Sequence, residues 1–331
     1  MTRLSLIYEL AARLEKRANQ AETLAPMMHM DDVATRVTTA YGFHLCGPAH
    51  NAVMLAATRL STPYPYEALA SLLALYMTRD GGTFIDVGAN IGYFSLLVAT
   101  CTDAPLRVHA IEPLPQNFRW VRENIDANGL GERIMAYAVA AGAEDGEASM
   151  SNYGTGASLV RGWDDGKGDK QGAVSVPVRR LDDLFPPDHL PGPITIKIDV
   201  EGYEWEAAKG AARLFASPAV HCILMELSHG QHPGGHNATA ADTLGLMAEY
   251  GYECFGHHSA VSGRIQKQDA LLYPPDHADI QAPERWPGNW VFVRPDASWD
   301  ALVRRMPALY GMFCSTGHRT EAEIREFLDG L

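Results

Sequence analysis

The stretch GGTFIDVGANIGYFSLLVAT, residues 81–100, indicates the fold that the rest of the sequence is expected to adopt. A short apolar strand is followed by a turn that contains Gly88, Asn90 and Gly92, and then by the periodic apolar positions of a helix. Glycines in such a turn let the backbone bend sharply and approach a ligand closely. The stretch therefore predicts the strand, turn and first helix of a nucleotide-binding α/β domain.

An acidic residue at the end of this strand, Asp86, indicates the kind of ligand. A dinucleotide fingerprint has three glycines and holds a pyrophosphate at the helix N-terminus, but here Asn90 and Tyr93 take the second and third positions. A carboxylate beside the turn disfavours a phosphate and suits a cofactor with a cationic, amino-acid-like tail. S-adenosylmethionine (SAM) is the common cofactor of this kind. The alternative is an ordinary doubly wound domain with a tight turn.

The composition is typical of a soluble globular chain, with 331 residues, 20% charged and 47% hydrophobic. The net charge of −13 argues against non-specific binding of nucleic acid. Five scattered cysteines form no CxxC pair, so reduced thiols are expected rather than a disulfide framework or a zinc site. We find no signal-peptide core and no apolar run near the ~20 residues of a membrane span. These features predict a cytoplasmic protein.

Three parts are expected along the chain. Residues 1–62 form an N-terminal helical extension, residues 63–295 a SAM-binding domain, and residues 296–331 a short C-terminal helical tail. The extension begins with an amphipathic helix, whose apolar face must pack either on the domain or on a second subunit of a homo-oligomer. Further helices are predicted over residues 49–60, 299–306 and 320–328. The proline-rich stretch at residues 62–65 marks the first boundary.

After this boundary, strands and helices alternate as in a parallel sheet with right-handed crossovers. The predicted strands cover residues 83–87, 106–111, 134–140, 174–178, 193–200, 220–227 and 289–294, and the helices cover 66–77, 116–127, 204–215 and 240–250. Residues 142–172 are rich in Gly, Asp and Ser, and we interpret them as an insertion over the carboxyl edge of the sheet, with at most two strand-like pieces. Loops of this length often act as lids.

Acidic residues follow two more of the predicted strands. Glu112 can accept hydrogen bonds from ribose hydroxyls or cap the next helix. Asp199 and Glu201 end a buried strand, where open α/β sheets bind their ligands. The alternative is that Lys197 neutralises them and Glu201 caps the following helix.

Four blocks together resemble the FkbM-type SAM-dependent methyltransferases. They are FIDVGANIGYFSLL (84–97), IEPLPQNFRWVRENIDANGL (111–130), RRLDDLF (179–185) and ITIKIDVEGYEWEAAKGA (194–211). The resemblance covers roughly residues 66–294. It implies a class I, Rossmann-like methyltransferase fold with a mostly parallel, doubly wound sheet. It also implies methyl transfer, usually to a hydroxyl of a sugar or natural-product intermediate.

The resemblance also assigns roles to individual residues. The turn with Asp86 holds the methionine moiety, Glu112 binds the ribose, and Asp199 and Glu201 lie beside the transferred methyl. The expected cofactor-binding residues are Asp86, Gly88, Asn90, Gly92, Glu112, Ala138, Val139 and Asp199, with Ala138 and Val139 near adenine. Tyr203 stands where many members carry a smaller residue, so the nearby pocket is expected to differ in shape.

The implied reaction is an in-line displacement at the sulfonium methyl, which depends on positioning and, for an alcohol acceptor, on a base. The candidate catalytic residues, at or just past strand ends, are Asp199, Glu201, Glu226 and His229. The ordinary pKa of His229 suits a base near neutrality, although a loop with three histidines is typical of an exposed surface. A divalent cation held by Asp199, Glu201 or Glu226 is an alternative way to acidify a hydroxyl. The loop histidines, which include His232 and His236, are poorly spaced for zinc.

We therefore expect an O-methyltransferase that acts on a small-molecule acceptor. The alternatives are an N-methyltransferase on the same fold, a nicotinamide-dependent oxidoreductase, and a non-catalytic protein that binds SAM. Residues 151–163 and 252–258 contain aromatic side chains that line an acceptor pocket or are ordinary surface and core residues.

Overall fold

A computed structural model of the chain describes residues 34–39, 41–48, 51, 53–54, 67–151, 158–159, 173–227, 240–257, 272–273 and 288–294. The predicted first helix, the two C-terminal helices and most of the helix predicted over residues 49–60 lie outside these ranges. So do His229, His232 and His236. The roles predicted for them stay predictions.

The elements are numbered in chain order. They are β1 (Ala34–Thr38), β2 (His44–Pro48), α1 (Ala68–Thr78), β3 (Gly82–Val87), α2 (Tyr93–Cys101), β4 (Leu106–Ile111), α3 (Pro115–Ala127), β5 (Ile134–Tyr137), β6 (Ala140–Ala141), β7 (Gly146–Ser151), β8 (Ala173–Arg179), α4 (Leu181–Leu184), β9 (Ile194–Ile198), α5 (Glu204–Lys209), α6 (Ala212–Ala216), β10 (Val220–Leu227), α7 (Ala240–Glu249), β11 (Glu253–His257), β12 (Leu272–Tyr273) and β13 (Gly288–Val293).

The main sheet has eight strands in the order β12-β11-β13-β10-β9-β3-β4-β5. Strands β10, β9, β3, β4 and β5 are parallel, whereas β13 is antiparallel to both of its neighbours. The chain runs outward from β3 through β4 to β5 and then returns to β9 on the other side of β3. The strand order therefore reverses between β3 and β9, and ligands bind at the carboxyl ends of strands at such a point. The predicted mostly parallel, doubly wound sheet is confirmed.

Both faces of the sheet are covered, which explains why its central strands are nearly continuous apolar runs. Phe84 of β3 lies in one apolar cluster with residues of α1, α2 and α3. Its neighbours Ile85 and Val87 lie in a second cluster on the opposite face, with residues of α5, α6 and α7. Side chains of a strand alternate between faces, so the short strand β3 contributes to both layers at once. Strands β3 and β9 are buried along their whole length.

A β-hairpin, which the sequence did not predict, precedes the main sheet. Strands β1 and β2 pair antiparallel within the predicted N-terminal helical extension. Two asparagines bind β2, namely Asn124 of α3 and Asn128, which directly follows α3. The side-chain amide of Asn124 accepts from the N–H of Cys46 at 2.6 Å and donates to its carbonyl at 2.8 Å. Asn128 makes the same pair of bonds with His44, both at 2.7 Å. The two side-chain amides, about one helical turn apart, therefore bind the backbone of β2 as a neighbouring strand would.

Removal of the Asn124 amide is expected to destabilise the protein. Asn124 is fully buried and also donates to the carbonyl of Ile91. Asn124→Ala therefore removes one buried bond to Ile91 and two partly buried bonds to Cys46. We expect a loss of about 2–4 kcal/mol in the free energy of unfolding, measured by denaturant titration. Arg122→Ala, on the exposed face of the same helix, is the control, and equal losses in the two variants would contradict the prediction.

Two of the predicted strands contribute residues to a second, smaller sheet. The strand predicted over residues 134–140 ends at Tyr137, and β6 then joins a separate three-stranded sheet with β8 and β7. The predicted strand at residues 174–178 lies in this second sheet as part of β8. A Cβ at Gly210 would collide with the carbonyl oxygen of Gly142, so the sheet packs closely against the end of α5. The predicted insertion thus contributes β7, and residues 152–157 and 160–172 lie outside the described ranges.

The helix predicted over residues 204–215 is in fact two short helices, α5 and α6. The break falls at Gly210, where the close approach to Gly142 leaves no room for a side chain. Asp182, which is fully buried, then accepts hydrogen bonds from the N–H groups of Arg213 and Leu214 at 3.0 and 2.9 Å. A carboxylate at this position caps a new helix N-terminus and stabilises the break.

Candidate active site

Asp86 lies at the carboxyl end of β3, and only 1% of its surface is exposed. Its Oδ2 accepts hydrogen bonds from the N–H and hydroxyl of Ser95, at 3.1 and 2.7 Å. Its Oδ1 is buried and has no hydrogen-bond partner among the described residues. Burial raises the pKa of this carboxyl, while the charge of Lys197 and the bonds from Ser95 oppose the increase. A buried oxygen without a partner is costly, so this atom fits a donor from a ligand.

The turn after β3 has positive φ angles at Gly88 (+85°), Asn90 (+54°) and Gly92 (+89°). A Cβ at Gly88 would collide with the carbonyl oxygen of Asp199, so only glycine fits between the ends of β3 and β9. A Cβ at Gly92 would come no nearer than 3.8 Å to Val121. Gly92 is therefore favoured by its backbone angle alone.

Glu112 connects the end of β4 to this turn. Its Oε2 accepts from the N–H of Asn90 and its Oε1 from the N–H of Leu114, both at 2.9 Å. Burial raises its pKa to about 8, although the two backbone bonds oppose that change. The carboxyl therefore binds Leu114, which immediately precedes α3, and this agrees with the helix-capping interpretation. It also binds the glycine turn, where the ribose-binding interpretation places it.

The stability of the protein is expected to fall as the pH rises towards 8. The pKa of Glu112 in the folded state lies above its ordinary value of 4.5, so folding favours its neutral form. That stabilisation is present below pH 4.5 and is lost as the pH rises through about 8, at about 1 kcal/mol per pH unit. Denaturant titrations at pH 6 and 8 should show a smaller pH effect in Glu112→Gln, whereas the exposed control Glu132→Gln should keep it. An unchanged pH effect in Glu112→Gln would contradict this assignment.

Asp199 follows β9 and forms a short ion pair, at 2.7 Å between its Oδ2 and Nζ of Lys197. It also shares a side-chain hydrogen bond with Glu226 of β10. Burial would raise the pKa of Asp199, but the charge of Lys197 and the bond from Glu226 lower it overall. Burial and the neighbouring charge of Asp199 raise the pKa of Glu226. A hydrogen bond between two carboxyl groups needs a proton on one of them, and these shifts favour an ionised Asp199 that accepts the bond from a protonated Glu226.

Glu201 lies beyond Asp199 in a left-handed conformation, with φ of +51°. Its carbonyl accepts a hydrogen bond from Ser158 of the insertion at 2.6 Å. Glu204, the first residue of α5, binds the turn before the helix, because its Oε1 accepts from the N–H groups of Gly202 and Val200 at 2.9 and 3.3 Å. The capping role considered for Glu201 stays a prediction. Burial raises the pKa of Glu204 to about 7.

The sequence did not single out three residues that take part in this arrangement. Ser95 binds Asp86, and Glu204 caps the turn after β9. Glu67 immediately precedes α1, and its charge raises the pKa values of Lys197 and Glu226. The only sequence signal for Glu67 was its place after the proline-rich boundary, which gives no information about its neighbours in space.

Three further predicted positions, Ala138, Val139 and Tyr252, make no described contact with the acidic residues of the crevice. Ala138, which is exposed, and Val139, which is half-buried, lie in the link between β5 and β6. Tyr252 is a core residue rather than part of a pocket, because its hydroxyl donates to the carbonyl of Phe215 at 2.9 Å. The guanidinium of Arg294 lies 4.5 Å from its ring centroid.

Within the described ranges, no three His, Cys, Asp or Glu side chains are grouped so that they could hold a metal ion. The four described cysteines, Cys46, Cys101, Cys222 and Cys254, are free thiols. None of the helices in the described part of the chain is long and apolar enough to cross a membrane.

The mostly parallel sheet, the antiparallel β13 and the acid-lined crevice at the strand reversal define the Rossmann-like methyltransferase class. A model of the FkbM methyltransferase domain matches residues 86–254, just over half of the 331-residue chain. The chain therefore belongs to the FkbM methyltransferase family.

Similar proteins include the hexuronic acid methyltransferase AglP of Haloferax volcanii, which is 26% identical over 161 residues. The match covers 49% of this chain and 62% of that relative, so the chain spans less than two thirds of its length. Among solved structures, methyltransferase FkbM from Methylobacillus flagellatus has a TM-score of 0.38 at 21% identity, covering 66% of this chain and 47% of the other. A SAM-dependent methyltransferase from Agrobacterium tumefaciens also gives 0.38, at 10% identity, covering 79% and 70%.

Proposed function

We propose that this methyltransferase uses SAM and transfers its methyl group to a hydroxyl of a sugar or natural-product intermediate. Membership of the FkbM family supports methyl transfer. A sugar-type acceptor is supported by the similarity to a hexuronic acid methyltransferase. The family match alone does not choose the cofactor, so the proposal depends on the crevice between β3 and β9.

The observation that carries the proposal is the buried Oδ1 of Asp86, which has no partner among the described residues. The cationic ammonium of a methionine moiety would give this atom a charge-assisted hydrogen bond. The turn from Gly88 to Gly92 follows the end of β3 directly, and Glu112 binds the N–H of Asn90 within it, so this carboxyl is proposed to bind the ribose. Ala138 and Val139, beyond β5, are proposed to contact adenine. When bound, SAM would supply an electrophilic methyl group.

The chain would contribute positioning and an acceptor for the proton of the hydroxyl. Asp199 is ionised and only partly buried, with 17% of its side chain exposed, so its carboxylate can receive a hydrogen bond from the acceptor. The lowered pKa of Asp199 makes it a weak base. We therefore propose that it first orients the hydroxyl, and that it takes the proton while the oxygen–methyl bond forms and the sulfur–methyl bond of SAM breaks. Glu226, in its protonated form, supports the negative charge of Asp199.

Calorimetry with SAM, S-adenosylhomocysteine and NAD tests the cofactor. We expect the first two to bind and NAD not to bind, and binding of NAD alone would overturn the proposal. Methyl transfer is then measured as S-adenosylhomocysteine released with a panel of neutral hexosides, hexuronic acids and amino sugars. Binding of SAM without transfer to any acceptor would instead favour a non-catalytic protein.

A further inference from the structure

We propose that Lys197 is a positioning residue that joins the cofactor side of the crevice to the acceptor side. This inference rests on the proposed function and extends it, because Lys197 would act through Asp199 and not on a substrate. Lys197 lies in β9, between β3 with the cofactor acid and β10 with Glu226.

The contacts of Lys197 fix its ammonium group closely. Only 3% of the residue is exposed, and Nζ lies 2.7 Å from Oδ2 of Asp199. The same atom lies 4.6 Å from the ring centroid of Phe94, the second residue of α2. A buried ammonium is costly unless charge and aromatic faces surround it, and both are present here. The cation thus contacts the helix that follows the glycine turn and the acid that follows β9.

The strand register places Lys197 directly beside Asp86. The two residues are Cα partners in the parallel pair β3–β9, so their side chains leave the sheet on the same face. The charges of Asp199, Glu67 and Asp86 all raise the pKa of Lys197 against the effect of burial. One cation therefore acts on the acids of both halves of the crevice.

Because Lys197 pairs with Asp199, the two aspartates Asp86 and Asp199 are left with different roles. Lys197 makes its direct bond with Asp199, and Oδ1 of Asp86 keeps no partner among the described residues. If the ammonium bonded to Asp86 instead, the acid expected to hold the cofactor would already be paired. In the observed arrangement, Asp199 is held in one orientation while Asp86 keeps an oxygen for a cationic ligand.

A double-mutant cycle tests this inference with Lys197→Met, Asp199→Asn and the double variant. We expect Lys197→Met to lower kcat about 100-fold, with smaller changes in the KM of the acceptor and the Kd of SAM. The double variant should lose no more kcat than Asp199→Asn alone, because Lys197 acts through that residue. Lys209→Met, which removes an exposed partner of Glu206, is the matched control and should leave kcat unchanged.

Each outcome separates the inference from the proposed function. The role of Lys197 would be overturned if the fold-loss of kcat in the double variant equalled the product of the losses in the two single variants. It would also be overturned if Lys197→Met kept the wild-type kcat. Full turnover in Asp199→Asn, or no transfer to any acceptor, would overturn the proposed function and the inference with it. If thermal unfolding shows that Lys197→Met does not fold, the double variant still decides, because it removes both partners of the pair. A kcat well below that of Asp199→Asn would then count against positioning.

Discussion

Replacement of Asp86 by asparagine is expected to weaken SAM binding by about 10- to 100-fold, because a hydrogen bond to a charged group contributes about 1.5–3 kcal/mol. The side chain keeps its size, so its bonded oxygen can still accept from Ser95. Its amide nitrogen then takes the place of the unpaired Oδ1 and presents a donor to the ammonium of the ligand. Both the charge and the acceptor are lost at the atom that carries the proposal.

Calorimetric titration with SAM measures this change. The matched control is Asp80→Asn, because Asp80 is exposed and lies just before β3. S-adenosylhomocysteine carries the same amino-acid tail, so its Kd should rise by a similar factor. An unchanged Kd for both ligands in a folded Asp86→Asn protein would show that Asp86 does not hold the cofactor.

Asp199→Asn is expected to lower kcat on a hydroxyl acceptor by about 10²- to 10⁴-fold, the usual contribution of a positioned base. Asparagine cannot take up the proton of the hydroxyl, and it also removes the charge that pairs with Lys197. The Kd of SAM should change by less than about threefold, because the bonds of Asp86 to Ser95 are kept. An amine acceptor reacts as a neutral nitrogen, so its turnover should be affected less.

Initial rates with saturating SAM, for a hydroxyl acceptor and its amine analogue, give the comparison. Asp126→Asn, an exposed position in α3, serves as the control. Full turnover on the hydroxyl acceptor, together with normal SAM binding, would show that Asp199 is neither a base nor a metal ligand. A larger loss on the amine would instead favour a structural role.

The sequence predicted most of the main sheet because its strands are apolar runs with clear ends. Strands β4 and β10 have the predicted bounds, and α3 starts one residue before the predicted one. The hairpin could not be predicted, because its edge is bound by Asn124 and Asn128, about 80 positions along the chain. The break between α5 and α6 was missed for a similar reason, since it depends on contact between Gly210 and Gly142.

The candidate site shows the same division between local and long-range information. Asp86, Glu112 and Asp199 could be placed at the crevice because each lies at or just after the carboxyl end of a strand that the sequence predicted. The protonation of Glu226 could not be predicted, because it depends on Asp199 in the neighbouring strand. The base role of His229 and the homo-oligomer formed through the first helix stay predictions.

The two asparagines at the end of α3, Asn124 and Asn128, have a further consequence for the hairpin. A strand with an open edge offers unpaired N–H and carbonyl groups to any other chain and is a common starting point for aggregation. The side-chain amides of Asn124 and Asn128 occupy these groups at Cys46 and His44. The two amides thus protect β2 from pairing with a strand of another chain. Loss of either amide would leave backbone groups of β2 free to pair in this way, even while the main sheet remains folded.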